Sequence, residues 1–172
     1  WVAKMDARYV MPLDAIEPYI KYTVRRFEKY NPMYMLSGDV FLDNEVTNST
    51  YTMALDILKK VSPDSVTTFH TAPKSDIPDM FMYSDELTYY MYQSGHTRED
   101  NEKNTYELPT KLYKMPVKRP IVNSEPCYEA HAHGGKYGRY GAFDIRRAFW
   151  HGVLSGAKGG FTYGVQGIWN WY

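Results

Sequence analysis

The sequence predicts an α/β protein in which helices cover a parallel sheet, and two observations lead to that fold class. Short apolar runs alternate with longer amphipathic segments about four times along the 172 residues, without internal repeats or a linker. Most of the predicted strands are also followed by a polar or ionisable side chain. A (β/α)8 TIM barrel explains both observations, because its active site is built from the carboxyl ends of its strands.

An open doubly wound sheet is the alternative architecture, and it usually carries a glycine-rich phosphate loop after its first strand. The sequence has no such loop at that place. The glycine-rich run at residues 134–141 follows no predicted strand directly and lacks the Gly-Lys-Ser/Thr ending of a phosphate loop. The barrel is therefore the favoured architecture.

The first half of the chain predicts two helices and two strands. The helices cover residues 13–30 and 50–60, where apolar side chains recur on one face, and the strands cover residues 33–36 and 66–69. Ser37-Gly38-Asp39 follows the first strand, and His70 follows the second. The segment between residues 43 and 49 is polar and is predicted to be a loop.

The second half predicts three strands and two helices. The strands cover residues 87–92, 120–122 and 159–164, and the helices cover residues 100–114 and 143–157. Gln93 and His96 follow the first of these strands, and Tyr163 lies in the last. Glu125 is expected just past the middle strand, where Pro126 forces the chain to turn.

Composition excludes several classes of partner. Twenty basic residues balance twenty acidic ones, so the chain shows no electrostatic signature of binding to nucleic acid or to an anionic membrane. No segment approaches the ~18 apolar residues of a membrane span. The single cysteine, Cys127, excludes an intrachain disulfide.

Two carboxylates at separate strand ends favour glycoside hydrolysis. In that reaction one carboxyl group protonates the leaving oxygen while the other attacks the sugar or activates water. Asp39 and Glu125 are the candidates for these roles. The 16% aromatic content, mostly tyrosine, would suit a sugar-binding cleft. The same residues also permit a purely structural interpretation, in which Asp39 caps a turn and Glu125 pairs with a nearby arginine.

The histidines support a rival interpretation. His70 and His96 at neighbouring strand ends, together with His131 and His133, could bind a metal ion in a barrel metallohydrolase. The His-x-His pair lies in a glycine-rich loop after the Glu125 strand rather than on the first strand, which disfavours this alternative. A carbohydrate-binding or scaffold barrel without catalysis is the other alternative.

Seven segments in register across nearly the whole chain resemble the apiosidase-like catalytic domain, glycoside hydrolase family 140 and its relatives. The segments are M-L-S-G-D (35–39), T-T-F-H (67–70), Y-Q-S-G-H (92–96), R-P-I-V-N-S-E-P-C-Y-E (119–129), F-D-I-R-R-A (143–148), L-S-G-A (154–157) and T-Y-G-V-Q-G-I-W (162–169). Seven motifs in the family's order are far more specific than any one of them.

The resemblance implies a retaining (β/α)8 glycosidase that needs no cofactor and no metal. Asp39 would be its acid/base, Glu125 its nucleophile, and Glu129 a supporting acid. The resemblance also implies which side chains line the sugar pocket: His70, Gln93, His96, Tyr163 and Trp169. It further implies action on complex polysaccharide side chains of the pectin type, with removal of apiose, and a secreted or periplasmic location that the residues themselves do not indicate.

By the same resemblance, the chain would supply roughly strands four to eight of the barrel as one partial domain. A complete barrel needs about 250 residues. We therefore expect the remainder of the barrel to come from outside this sequence. We also expect the isolated chain to be inactive or poorly folded, because two strand edges and half of a core would be exposed.

Overall fold

The computed structural model describes residues 11–133 and 138–169, and the chain divides into two compact units, residues 1–89 and 90–172. We call them unit 1 and unit 2. The predicted glycine-rich loop extends into positions 134–137, which lie outside the described residues.

Unit 1 contains a two-stranded parallel sheet and three helices. In chain order the elements are α1 (Leu13–Phe27), β1 (Met33–Met35), α2 (Glu45–Val61), β2 (Val66–Thr68) and the short α3 (Asp79–Met82). A 3₁₀ turn, Glu28–Tyr30, follows α1. Strands β1 and β2 run parallel, with Met33 opposite Val66 and Met35 opposite Thr68.

The core of unit 1 follows from the helical spacing of apolar side chains. Ile16, Ile20 and Val24 recur on one face of α1 and pack against Ala54 and Leu58 of α2. This periodicity is what predicts the first helix, and the prediction is confirmed apart from its last turn. A second apolar group surrounds Phe69, whose ring packs against Tyr51 and Phe81.

Helix α2 begins five residues before the position predicted for it, so the prediction of a loop at residues 43–49 is wrong for most of its length. The reason is an N-cap. The side-chain oxygen of Asn44 accepts a hydrogen bond from the backbone N–H of Thr47, at 2.9 Å, and this satisfies one of the free donors of the first turn. The polar residues that follow Asn44 therefore form the first turns of a helix.

Unit 2 contains a three-stranded parallel sheet in the order β3-β4-β5. The elements are β3 (Tyr90–Gln93), α4 (Arg98–Tyr113), β4 (Ile121–Glu125), α5 (Ala142–Leu154) and β5 (Gly160–Phe161). Each strand is connected to the next by a helix, which is the connection that parallel strands require. Cys127, Tyr140, Ile145 and Ala148 form a buried cluster against Phe161.

The structure corrects several strand boundaries. The last strand, predicted at residues 159–164, is the two-residue β5, so Tyr163 lies just beyond it rather than within it. Strand β3 begins at Tyr90 rather than at residue 87, because Thr88 is bonded instead to Thr67, through its backbone N–H and its hydroxyl. Strand β4 continues through Glu125, which is its last residue rather than a residue beyond it. A register shift between Tyr92 and Gln93 then sets Gln93 opposite Glu125.

The α/β class with parallel sheets is confirmed, while the closed eight-stranded barrel stays a prediction. Among the described residues, the helices are all too short or too polar to cross a membrane.

Candidate active site

Glu125 and His96 form the central contact of unit 2. The Nε2 atom of His96 lies 2.8 Å from Oε1 of Glu125. The two side chains are 23% and 16% exposed respectively, so the pair is largely withdrawn from water but still open on one side. A partly buried carboxylate with a specific hydrogen-bonding partner at a strand end is the kind of group that active sites use.

The backbone explains why these two side chains meet. Parallel strands β3 and β4 deliver their carboxyl ends to the same edge of the sheet. Gly95 then adopts a left-handed φ of 89°, which a residue without Cβ takes without strain, and its N–H donates to the carbonyl of Glu125 at 3.3 Å. The hydroxyl of Tyr140 donates to the carbonyl of His96 at 2.9 Å and fixes the far side of the turn.

Aromatic rings surround the His96–Glu125 pair. The ring centroid of His96 lies 4.5 Å from that of Tyr128 and 5.1 Å from that of His131. Trp169 continues the row, with its ring 5.8 Å from Tyr128. We call Tyr128, His131 and Trp169 the aromatic wall. Flat rings beside a carboxylate suit the apolar face of a sugar.

His131 is electrostatically distinct from an ordinary surface histidine. Burial lowers the pKa of its ring, and the neighbouring His96 lowers it further. The neutral form of the His131 ring is therefore favoured.

The remaining predicted residues of unit 2 occupy different environments. Gln93 is buried, and its side-chain oxygen has no hydrogen-bond partner among residues 11–133 and 138–169. Tyr163 is 61% exposed, and its hydroxyl donates to a carboxylate oxygen of Glu129, which raises the pKa of the phenol. The N–H of Glu129 donates in turn to the carbonyl of Gly164 at 2.9 Å. Tyr163 is thus tied to Glu129, the acid four residues after Glu125.

Unit 1 brings its own two predicted residues together. The N–H of Val40 and the hydroxyl of Ser37 both donate to the carbonyl of His70, at 3.4 Å and 2.9 Å. As a result a carboxylate oxygen of Asp39 and a ring nitrogen of His70 lie within 4.8 Å of each other. The carboxyl ends of β1 and β2 therefore deliver one acid and one histidine to the same place.

Asp39 carries two signs of a functional position. Its backbone has a φ of 53°, a left-handed conformation that costs free energy for a residue with a side chain. Its Oδ1 atom is buried without a hydrogen-bond partner among the described residues. A carboxylate used only as a turn cap would bond a backbone N–H through its side chain, so the turn-cap interpretation is less favoured.

Metal binding has limited support within each unit. The described part of unit 2 contains no group of three histidine, cysteine or acidic side chains that could reach one ion together. In unit 1, Asp39 and His70 would supply two of the three protein ligands that a catalytic zinc site uses. The metal content of the purified protein tests the metallohydrolase alternative.

The sequence predicts no sugar-binding role for two members of the aromatic wall. Tyr128 lies three residues after Glu125, and the sequence offers His131 only as a metal ligand. A signal exists for Tyr128, since an aromatic side chain just beyond a strand that ends in a carboxylate is placed to line a pocket. No local signal predicts that the ring of His131 stacks beside His96, because that contact depends on how the loop after β4 folds back.

The fold is similar to those of solved glycoside hydrolases. One structure, described as a glycoside hydrolase, matches with a TM-score of 0.83 over 94% of this chain and 40% of its own, at 23% identity. A glycoside hydrolase family 5 protein from Bacteroides vulgatus matches with a TM-score of 0.78 over 94% of this chain and 37% of its own, at 22% identity. The chain therefore has a glycoside hydrolase-like fold, and it spans about two fifths of the length of these proteins.

Sequence comparison then identifies the family. The apiosidase-like catalytic domain matches residues 1–172, and the chain belongs to that family. No curated protein matches the chain significantly. The resemblance carried by the seven motifs is confirmed.

Proposed function

We propose that this chain supplies the catalytic carboxylates of a retaining glycosidase. Glu125 is the nucleophile and Asp39 is the acid/base. The observation that carries the proposal is the partly buried Glu125, hydrogen-bonded by His96 at the end of β4 beside the aromatic wall. Family membership supports the reaction class.

The reaction has two steps. Glu125 attacks the anomeric carbon while the glycosidic bond breaks, and the departing oxygen takes a proton from Asp39. Water then attacks the same carbon, Asp39 takes its proton, and the electron pair of the ester bond returns to Glu125. Retention of configuration requires the two carboxyl groups to stand about 5 to 5.5 Å apart across the sugar. No redox or metal chemistry enters this scheme.

The proposed substrate is a terminal sugar on a complex plant polysaccharide, with an apiose-bearing pectin side chain as the first candidate. The apiosidase-like family supports this choice. The aromatic wall would stack on the sugar face, and His70, Gln93 and Tyr163 would bond its hydroxyl groups. Such an enzyme works outside the cytoplasm, and cell fractionation tests that location.

The active domain is proposed to include more of the barrel than this chain. The matched glycoside hydrolases extend well beyond the aligned region. In unit 1, Met33 and Met35 of β1 are 68% and 51% exposed, which is unusual for a parallel strand, whose faces are normally covered. Further strands of the same polypeptide would cover them.

The direct test is Glu125→Gln in the intact protein, assayed on a panel of aryl glycosides and pectin oligosaccharides. Loss of the nucleophile should lower turnover by at least about 10³-fold, while oligosaccharide binding stays within a few fold. Glu102→Gln is the matched control, because Glu102 is a half-exposed surface acid paired with Arg98.

Two outcomes would contradict the proposal. Near-normal turnover in Glu125→Gln would remove the assigned nucleophile. Binding of the oligosaccharides by the unaltered protein, without release of any product from the whole panel, would instead favour a non-catalytic carbohydrate-binding barrel.

A further inference from the structure

We propose that His96 is a positioning residue for the Glu125 carboxylate rather than a contact to the sugar. Its Nε2–H donates to Oε1 of Glu125 and so fixes the orientation of the carboxylate toward the anomeric carbon. The inference rests on the proposed function, because it assigns a role relative to the nucleophile.

The two ring nitrogens of His96 carry the argument. Nε2 lies 2.8 Å from Oε1 of Glu125. Nδ1 is buried and has no hydrogen-bond partner among the described residues. A proton on Nδ1 would be a buried donor without an acceptor, which costs free energy. An unprotonated Nδ1 is only an unsatisfied acceptor, and its free-energy cost is smaller. The geometry therefore favours the tautomer with its proton on Nε2, where it donates to the carboxylate.

The same geometry leaves His96 no free nitrogen for a sugar. A sugar hydroxyl would need access to Nε2, which Glu125 occupies, or to Nδ1, which solvent does not reach. The aromatic wall, Gln93 and Tyr163 remain as the proposed sugar contacts in unit 2. His96 thus differs in role from the other predicted pocket residues.

The ring of His96 is held on several sides. Tyr128 and His131 pack against it with centroids 4.5 Å and 5.1 Å away, and the Tyr140 hydroxyl fixes its backbone carbonyl. The groups that act electrostatically on the adjacent His131 are His96, Arg139 and Glu125. The side chain of Arg139 donates to the carbonyl of Ala130 at 2.6 Å. A donor held this firmly orients the carboxylate before substrate arrives.

This hydrogen bond has a chemical consequence in each step. In the first step it holds the Glu125 carboxylate in the orientation in which it attacks. In the second step the ester bond breaks and its electron pair returns to Glu125, so a donor on Oε1 stabilises the carboxylate as it forms again. Removing the donor should therefore slow breakdown of the intermediate as well as its formation.

The test compares His96→Ala with His96→Gln in the intact protein, using the dinitrophenyl glycoside that is turned over best. The glutamine amide can place an N–H near the position of Nε2. We expect His96→Ala to lower kcat by about 10- to 100-fold with KM changed less than about threefold, and His96→Gln to recover most of the loss. His151→Gln is the control, because it removes a partly buried histidine whose contact is with Thr105 rather than with Glu125.

Each other outcome overturns the inference. A raised KM with unchanged kcat would make His96 a sugar contact. Glutamine no better than alanine would exclude the donor role. If the alanine variant folds poorly, the glutamine variant still tests the inference, because it should keep most of the kcat of the unaltered enzyme. If Glu125→Gln is active, the proposed function itself fails. If Glu125→Gln is inactive but His96→Ala is normal, only this inference fails.

Discussion

Units 1 and 2 deliver a carboxylate in the same way but support it differently. In each unit a parallel strand pair brings an acid and a histidine to one edge, Asp39 with His70 and Glu125 with His96. Glu125 accepts a hydrogen bond from its histidine, whereas Asp39 lies on a left-handed backbone and its Oδ1 is buried without a partner in the part of the chain that the structure describes. A nucleophile needs fixed orientation, and an acid/base must exchange its proton, so the difference matches the proposed roles.

The strands of the two units also differ. All four residues of β3 in unit 2 are buried, while β1 in unit 1 exposes two methionines. Unit 1 also has an apolar cavity of about 300 Å³ between α1, β1 and α2, lined by residues such as Tyr19, Tyr34 and Leu58. The hydrogen bond from His96 to Glu125 and the ring contacts of His96 come from unit 2, and the methionines of β1 mark a strand of unit 1 that is left uncovered.

The largest effect expected from this comparison comes from Asp39→Asn. Losing the acid/base should cost about 10²- to 10⁴-fold in turnover of an aryl glycoside with a poor leaving group. The loss in the first step should nearly vanish for a dinitrophenyl glycoside, because that leaving group needs no proton. Added azide should restore turnover by replacing water. Pre-steady-state kinetics separates the steps.

Asp43→Asn is the control for this variant, because Asp43 is an exposed acid four residues away. Equal losses for both leaving groups, with no response to azide, would remove Asp39 from the acid/base role and end the contrast between the units.

Two glycines give a second, smaller test. A Cβ at Gly164 in unit 2 would overlap the ring of Tyr128, whereas a Cβ at Gly38 in unit 1 would meet nothing within 4 Å. Gly164→Ala should therefore lower the free energy of unfolding by about 1 to 3 kcal/mol and displace the aromatic wall. Gly38→Ala should stay within about 0.5 kcal/mol. Urea unfolding measures both, and equal effects would contradict the tight packing assigned to Tyr128.

The smallest effect expected is a pH dependence in unit 2. Burial, and then Arg147, lower the pKa of His151. As pH falls through about 6.5, the unfolded chain takes up the proton before the folded one, so the folded state loses stability. Because the ring is partly exposed, the loss should be below about 1 kcal/mol. His151→Gln should make the free energy of unfolding depend less on pH between pH 7 and 5. An unchanged pH dependence would contradict the contribution assigned to His151.

The sequence predicts those features of the fold that depend on local periodicity. The apolar faces of α1 and α5, the short buried runs and the polar residues after them all follow from side-chain spacing. The boundary errors have local causes as well, since Asn44 caps α2 and the hydroxyl of Thr88 takes the place of a ladder bond. An N-cap asparagine is visible in a sequence, but the pairing of Thr88 with Thr67 is not.

The candidate site is only partly visible in the sequence. Asp39 and Glu125 stand out because each is predicted at the carboxyl end of a strand. The bond from His96 to Glu125 depends on the register shift after Tyr92 and on the left-handed turn at Gly95, which need the folded sheet. The stacking of His131 depends on a long loop, where sequence spacing carries no distance information.

The most direct test of the central claim is to trap the covalent intermediate. The intact protein is incubated with a 2-deoxy-2-fluoro aryl glycoside of the sugar it turns over, digested, and analysed by mass spectrometry. If Glu125 is the nucleophile, one fluorosugar should be found on the peptide that contains Glu125, bonded to that side chain, and no label should be found in Glu125→Gln. A label on another carboxylate, or turnover with inverted anomeric configuration and no label, would contradict it.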